Sequence, residues 1–203
     1  MNVNNSKMSE EEVREILDAC AGKILKNGKE NSQESKKVLL KYFSPQNPKY
    51  DVNAPIPNQN GWTPLIFATF FGKNEEVNLL LNLGADPNKK IGKEISALHI
   101  SSSEGYEEIS NNHLQQGAEV NAQTTTGRTP IMGACESGHI KVVKTIMPYK
   151  PNITIKDIKG KTCIDYAQEK NFVEIASLFE YQNLTRILNS GGGSSGQKRT
   201  SKI

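Results

Sequence analysis

The sequence predicts an all-α solenoid in which helix-turn-helix units stack in a row. The first observation is a short motif that returns every 33 residues, a strict period of the length that stacked repeats produce. The second is a residue that tolerates a left-handed backbone nine positions after each motif begins, where one helix ends and the next starts. The motifs begin at Thr63, Ser96, Thr129 and Thr162, and the turn residues are Gly72, Gly105, Gly138 and Asn171.

The residues around these motifs carry a family resemblance. The third copy, from Gly127 to His139, has the order Gly-x-Thr-Pro-Ile-x-x-Ala-x-x-x-Gly-His. Two other copies close with the segments Gly84-Ala85-Asp86-Pro87-Asn88 and Gly117-Ala118-Glu119-Val120-Asn121. The chain therefore strongly resembles the ankyrin repeat. The resemblance implies β-hairpin-like finger loops between repeats, and a concave groove that holds a partner together with the finger tips.

The pattern divides the chain into three parts. Residues 1–50 predict an irregular N-terminal capping repeat, since Ser9 to Glu12 has the form of a capping box and a second helical pattern stops at Pro45. Between the two helices, 28–32 is expected to be a loop. Residues 51–190 hold the four recognisable repeats, and the Pro-containing first finger is two residues longer than the next. Residues 191–203 are expected to form a flexible basic tail, because their Gly- and Ser-rich run has no apolar side chains to bury.

The second helix of each repeat should bury two pairs of side chains. The second repeat departs most, because it places Ser110 and His113 at such positions and Glu94 where the motif has a turn glycine. We therefore expect it to be the least stable internal repeat. The positions are Glu76, Val77, Leu80 and Leu81, then Ile109, Ser110, His113 and Leu114, then Val142, Val143, Ile146 and Met147, and finally Ile175, Ala176, Phe179 and Glu180. The charge at the last of these positions suits a terminal repeat whose outer face meets water.

Charge and composition narrow the classes of partner. The net charge is +3, but three basic residues lie in the acid-free tail, so residues 1–190 carry equal numbers of basic and acidic side chains. A folded part without net charge is a poor binder of nucleic acid. The chain has no long apolar run that predicts a membrane segment. Its three cysteines are not spaced as metal ligands are, and they fit a reducing compartment. We therefore expect the protein in the cytoplasm, with the nucleus as a further location. We also expect it to be a monomer.

No residue set predicts catalysis, a cofactor or a metal. His99 and His139 fall at motif positions that explain them structurally, and His113 lacks neighbours at metal-ligand spacing. The triplet Gly160-Lys161-Thr162 imitates the end of a phosphate-binding loop, but the required earlier glycine is absent. We therefore expect no enzyme activity.

An aromatic run is the main candidate for a binding site. The only tryptophan and three of six phenylalanines lie within ten residues, as Trp62, Phe67, Phe70 and Phe71. In the ankyrin pattern Phe67 takes a packed position, whereas the other three take variable positions that face the groove. Large exposed aromatic side chains are typical interface anchors. The alternative is that the N-terminal helices or the first finger loop cover them.

The remaining groove and finger positions have mixed polarity, with a somewhat basic far end that would suit acidic residues of a partner. We interpret the chain as a non-enzymatic module that binds a protein or peptide through the groove. The alternative is an inhibitor or adaptor that also recruits a second partner through its basic tail. The candidate binding residues are Trp62, Phe70, Phe71, Lys93, Ile95, Glu104, Arg128, Glu136, Lys159, Lys161 and Glu169.

Overall fold

Helix pairs joined by short loops stack in a row along the part of the chain that the computed structural model describes, residues 8–23, 25–26, 29–46 and 48–180. The predicted tail at 191–203 and the last residues of 51–190 lie outside these described residues. The helical prediction is confirmed, since within the described part the strands are two-residue segments in hairpins.

The first helix of the N-terminal pair begins with the predicted capping box. Ser9 Oγ accepts a hydrogen bond from Glu12 N (3.3 Å), and Glu12 Oε2 accepts one from Ser9 N (2.9 Å). The loop predicted at 28–32 is partly wrong, because it includes a strand and the first residue of a helix. The elements are α1 (Glu10–Cys20), β1 (Leu25–Lys26) antiparallel to β2 (Lys29–Glu30), and α2 (Ser32–Phe43).

Repeats 1 to 4 each begin with a Ser or Thr at the N-cap of their first helix and have a left-handed residue after it, as the motif predicts. Repeat 1 contains α3 (Pro64–Phe70) and α4 (Asn74–Asn82), and repeat 2 contains α5 (Ala97–Glu104) and α6 (Glu107–Gln115). Repeat 3 contains α7 (Pro130–Ser137), α8 (Ile140–Ile146) and a 3-10 turn (Met147–Tyr149), and repeat 4 contains α9 (Cys163–Glu169) and α10 (173–180).

First helices stack on first helices, and second helices on second helices. Thus α1 packs on α3 as α3 packs on α5, and α2 packs on α4 as α4 packs on α6. The N-terminal pair therefore occupies the same place in the stack as a full repeat.

A side chain from each repeat covers the turn of the preceding one. A Cβ added to Gly72, Gly105 or Gly138 would lie 2.6–2.9 Å from a ring of the next repeat, and one added to Gly22 would lie 2.8 Å from the Lys73 side chain. The covering residue is always the one that directly follows the next turn residue. The rings are those of Tyr106, His139 and Phe172.

The finger loops are fixed by asparagine side chains. Asn53 and Asn88 each donate a hydrogen bond to a backbone carbonyl of the following finger and accept one from its amide. In the second finger, β3 (Lys90–Ile91) pairs antiparallel with β4 (Ile95–Ser96) around Glu94, whose φ is +61°.

The apolar core divides into two clusters at repeat 2, where buried polar side chains intervene. The predicted Ser110 and His113 are fully buried, but each has a partner: Ser110 Oγ donates to Ser101 Oγ (2.9 Å), and His113 Nε2 lies 3.0 Å from Thr69 Oγ1. In repeat 3, Met147 is only half-buried because α8 ends at Ile146.

Candidate partner-binding groove

One recurring contact organises the concave side. In repeats 1, 3 and 4 the residue before the N-cap of the first helix touches the residue eight positions later, at the end of that helix. The contact is aromatic in repeat 1 and ionic in repeats 3 and 4. The pairs are Trp62 with Phe70 (ring centroids 5.1 Å apart), Arg128 with Glu136, and Lys161 with Glu169 (Nζ to Oε2, 2.5 Å).

The aromatic end of the groove is a continuous cluster of four rings, which we call the aromatic cluster: Trp62, Phe67, Phe70 and Phe71. Neighbouring ring centroids lie 5.1–5.7 Å apart, in mostly edge-to-face geometry. Phe70 is 47% exposed, whereas the other three rings are half-buried. Trp62 and Phe71 therefore hold the Phe70 ring in place, and part of that ring stays exposed.

Other segments cover part of the aromatic cluster. Gln59 and Asn60 of the first finger line a cavity of about 210 Å³ beside Trp62, and Lys23 Nζ lies 5.1 Å from the centre of the Phe71 ring. The finger and the capping repeat thus approach Trp62 and Phe71. Phe67 is half-buried against the N-terminal core cluster, and so is less packed than the sequence predicted.

A larger cavity of about 400 Å³, which we call the central groove, continues from Phe70 across repeats 2 and 3. Six predicted residues line it: Phe70, Lys93, Ile95, Glu104, Arg128 and Glu136. The others are His99, Ile100, Ser103, Thr124, Thr126, Thr129 and Gly133.

Ile100 and Gly133 are lining residues that were not among the candidate binding residues. A Cβ on Gly133 would lie 2.3 Å from Ser103 Oγ. The absence of a side chain at Gly133 therefore allows α5 and α7 to pack closely at the bottom of the groove. Both residues lie four positions after an N-cap residue, as Phe67 and Tyr166 do. The 33-residue period could have identified them had this position been compared between repeats.

At the far end of the surface, Arg128 and Lys161 form ion pairs within their own repeats. Lys159, Lys161 and Glu169 do not line the central groove. The Arg128 guanidinium lies 4.8 Å over the Tyr166 ring, and Tyr166 Oη donates a 2.5 Å hydrogen bond to Asp157 Oδ2. Since Arg128 and Lys161 are paired with carboxylates of their own repeats, these two cations are less available to acidic partner residues than the sequence suggested.

Two buried groups at this end titrate in a way that follows from their surroundings. Burial, together with the hydrogen bond to Asp157, raises the pKa of Tyr166 to about 12. Burial also acts to raise the pKa of Asp157, but hydrogen bonds from Tyr166 and from the amides of Lys161 and Lys159 outweigh it and leave that pKa below its usual value. The contact between finger and helix is therefore stable near neutral pH.

The histidines have structural partners. His99 Nδ1 accepts a hydrogen bond from Ser96 N (3.2 Å), and the other ring nitrogen therefore donates to Arg128 O (3.1 Å). His139 Nε2 lies 3.0 Å from Ser103 O. Among the residues that the structure describes, no three His, Cys, Asp or Glu side chains come together so that they could hold a metal ion.

Within the described residues, every helix is too short or too polar to cross a membrane. This finding concerns the helices of 8–180 alone.

The comparisons agree with this architecture. A family model for three ankyrin repeats matches residues 98–186, and one for a single ankyrin repeat matches residues 60–91, so together they span more than half of the chain.

Similar proteins match part of this chain. The chain is 37% identical over 73 residues to the E3 ubiquitin-protein ligase XBAT33 of Arabidopsis thaliana, which is 36% of this chain and 14% of that protein. It is 29% identical over 141 residues to alpha-latrocrustotoxin-Lt1a of Latrodectus tredecimguttatus, 69% of this chain and 10% of the toxin. It is 31% identical over 102 residues to the ankyrin repeat and KH domain-containing protein mask of Drosophila melanogaster, 49% of this chain and 2% of that protein.

The chain thus matches only a small part of the length of each of these relatives. From the 33-residue motif, the stacked helix pairs and the two family models, we conclude that the chain belongs to the ankyrin-repeat family.

Proposed function

We propose that this protein is a non-enzymatic binding module that holds a protein or peptide partner in the concave groove, with the aromatic cluster and the central groove as the main contact. Ankyrin repeats are generally protein-interaction modules and are generally not enzymes. The finer proposal is the location of the partner, at the aromatic cluster of repeat 1 and the central groove across repeats 2 and 3.

The observation that carries the proposal is the position of Phe70. This ring is 47% exposed, contacts the rings of Trp62 and Phe71, and lines both the cavity beside Trp62 and the central groove. An exposed aromatic side chain held rigidly by neighbours buries much area on binding with little loss of conformational entropy. An ionic contact such as Arg128 with Glu136, which takes the same place in repeat 3, offers no comparable apolar area.

We also propose that binding takes place in a reducing compartment such as the cytoplasm. Cys20, Cys135 and Cys163 are all buried free thiols, which supports this compartment because thiols stay reduced there.

Affinity capture with three forms of the full chain tests the proposal. The wild type should capture a protein from an extract of its own cells, and Phe70→Ser should lose it. Tyr149→Ser is the matched control, since this ring is 37% exposed but lies on the 3-10 turn outside both cavities. Capture that survives Phe70→Ser unchanged would contradict the proposed site.

The same assay separates the alternative function. A chain that ends at residue 190 keeps the groove but lacks the basic tail. If the tail recruits a second partner, this truncation should lose one captured protein and keep the one that depends on Phe70.

A further inference from the structure

Two lysines flank the exposed aromatic surface. Lys23 Nζ lies 5.1 Å from the centre of the Phe71 ring, on the side of the capping repeat. Lys93 lines the central groove with Phe70, on the side of repeat 2. Both side chains are exposed. Neither ammonium group is ion-paired to a carboxylate whose side chain the structure describes.

Arg128, Lys161 and Lys90 differ from these two lysines in this respect. Arg128 and Lys161 each contact a carboxylate of their own repeat, and Lys90 lies 3.7 Å from Glu94. Among the described residues, positive charge is thus left unpaired on both sides of the aromatic cluster, whereas the charges of Arg128 and Lys161 are each paired with a carboxylate.

We infer that the partner segment is an extended acidic peptide in which one large apolar side chain packs on Phe70 and carboxylates on either side of it reach Lys23 and Lys93. This inference rests on the proposed function and specifies the chemistry of the partner. Opposite charges across an interface raise the association rate and select the partner, and like charges in the same places exclude others. A basic peptide would meet two cations beside its anchor.

Glu104 limits how far acidic residues of the partner peptide can extend along the groove. This exposed carboxylate lines the central groove at the C-terminal end of α5. Its charge adds to the partial negative charge of the helix end. A run of acidic residues that continued past Lys93 toward repeat 3 would meet this negative potential. The acidic residues therefore lie close to the anchor, and the next contact is a neutral or basic group.

A selection from random peptides tests the inference without a known partner. The probe is a phage-displayed library of linear peptides of about 12 residues, which can span ~40 Å when extended. The full chain is the bait in three forms: wild type, Phe70→Ser and the double variant Lys23→Glu/Lys93→Glu. We expect the wild type to enrich peptides with an aromatic or branched aliphatic residue that has Asp or Glu within three positions on both sides.

The two variants should distinguish the contribution of the apolar anchor from that of the flanking charges. Phe70→Ser should enrich no such peptides, and the charge-reversed double variant should enrich Lys or Arg around the same anchor. A wild-type-selected peptide should lose at least about tenfold in affinity for the double variant. It should keep nearly full affinity for Lys159→Glu, which changes an exposed lysine outside the central groove.

The two proposals fail in different ways. Phe70-dependent peptides with neutral or basic flanks would overturn the acidic chemistry and leave the groove as the binding site. Peptides that bind independently of Phe70, or no enrichment at all, would overturn both proposals. Preferential binding of a single-stranded oligonucleotide at the same cations would also overturn the acidic peptide. Salt dependence checks the chemistry without any variant, since wild-type affinity for a selected peptide should fall as salt rises.

Discussion

Replacing Thr69 with valine should loosen the contact between repeats 1 and 2. Both Thr69 and His113 are fully buried, and their side chains meet at 3.0 Å between Oγ1 and Nε2. His113 Nδ1 has no hydrogen-bond partner among the described residues. Valine keeps the shape of threonine and removes the hydroxyl, so the imidazole would be buried without a partner for either nitrogen.

The expected loss is that of one buried hydrogen bond with the remaining group left unsatisfied, about 2 kcal/mol. In a solenoid such a loss acts locally. The amides of Ile109 to Leu114 in α6 should therefore exchange with solvent roughly 30-fold faster than in the wild type, while those of Val142 to Ile146 in α8 change little.

Native-state hydrogen exchange measured by NMR is the assay, and a double-mutant cycle is its control. Thr69→Val with His113→Leu removes both polar groups, and should recover most of the loss because neither is then buried alone. If Thr69→Val leaves exchange in α6 unchanged or slows it, the hydroxyl does not satisfy His113 and our account of the polar layer in repeat 2 is wrong.

Two further predictions concern stability. Burial lowers the pKa of His113 from 6.5 to about 4. Between these pH values His113 is protonated in the unfolded chain and neutral in the folded chain. The free energy of unfolding should therefore decrease as the pH falls, by up to about 3 kcal/mol. Urea titrations at pH 7 and pH 4 should show this fall reduced in His113→Leu, and an equal fall in both proteins would contradict it. Gly138→Ala should destabilise by more than Gly117→Ala in thermal unfolding, because both glycines have φ near +80° but only the first would place its Cβ against a ring, 2.6 Å from Phe172. Equal losses would show that Phe172 moves away freely.

The repeat architecture was predictable because its signals are local. A Ser or Thr N-cap and a left-handed turn residue act within one helix, so Thr129 and Gly138 could be assigned from sequence alone. Gly22 was missed as a turn residue of the same kind, because the segment after it does not lead directly into a second helix. Its equivalence became visible only when the Lys73 side chain was seen to pack on it.

The candidate surface was predictable in residue type but not in detail. Phe70 could be assigned to the groove from its repeat position. The ion pair of Arg128 with Glu136 could not, since it joins a finger to a helix end and depends on how the chain turns between them. The approach of Lys23 to Phe71 joins two repeats, and no local pattern encodes it.

The central claim is that a partner occupies the aromatic end of the groove, and Trp62 reports on it directly. It is the only tryptophan of the chain and lies 5.1 Å from Phe70, measured between ring centroids. Acrylamide quenching of its fluorescence should therefore be measured with and without a saturating tryptophan-free peptide from the selection. We predict that the peptide protects Trp62 from quenching and shifts its emission to shorter wavelength. Tight binding that leaves both the quenching and the emission of Trp62 unchanged would contradict the claim.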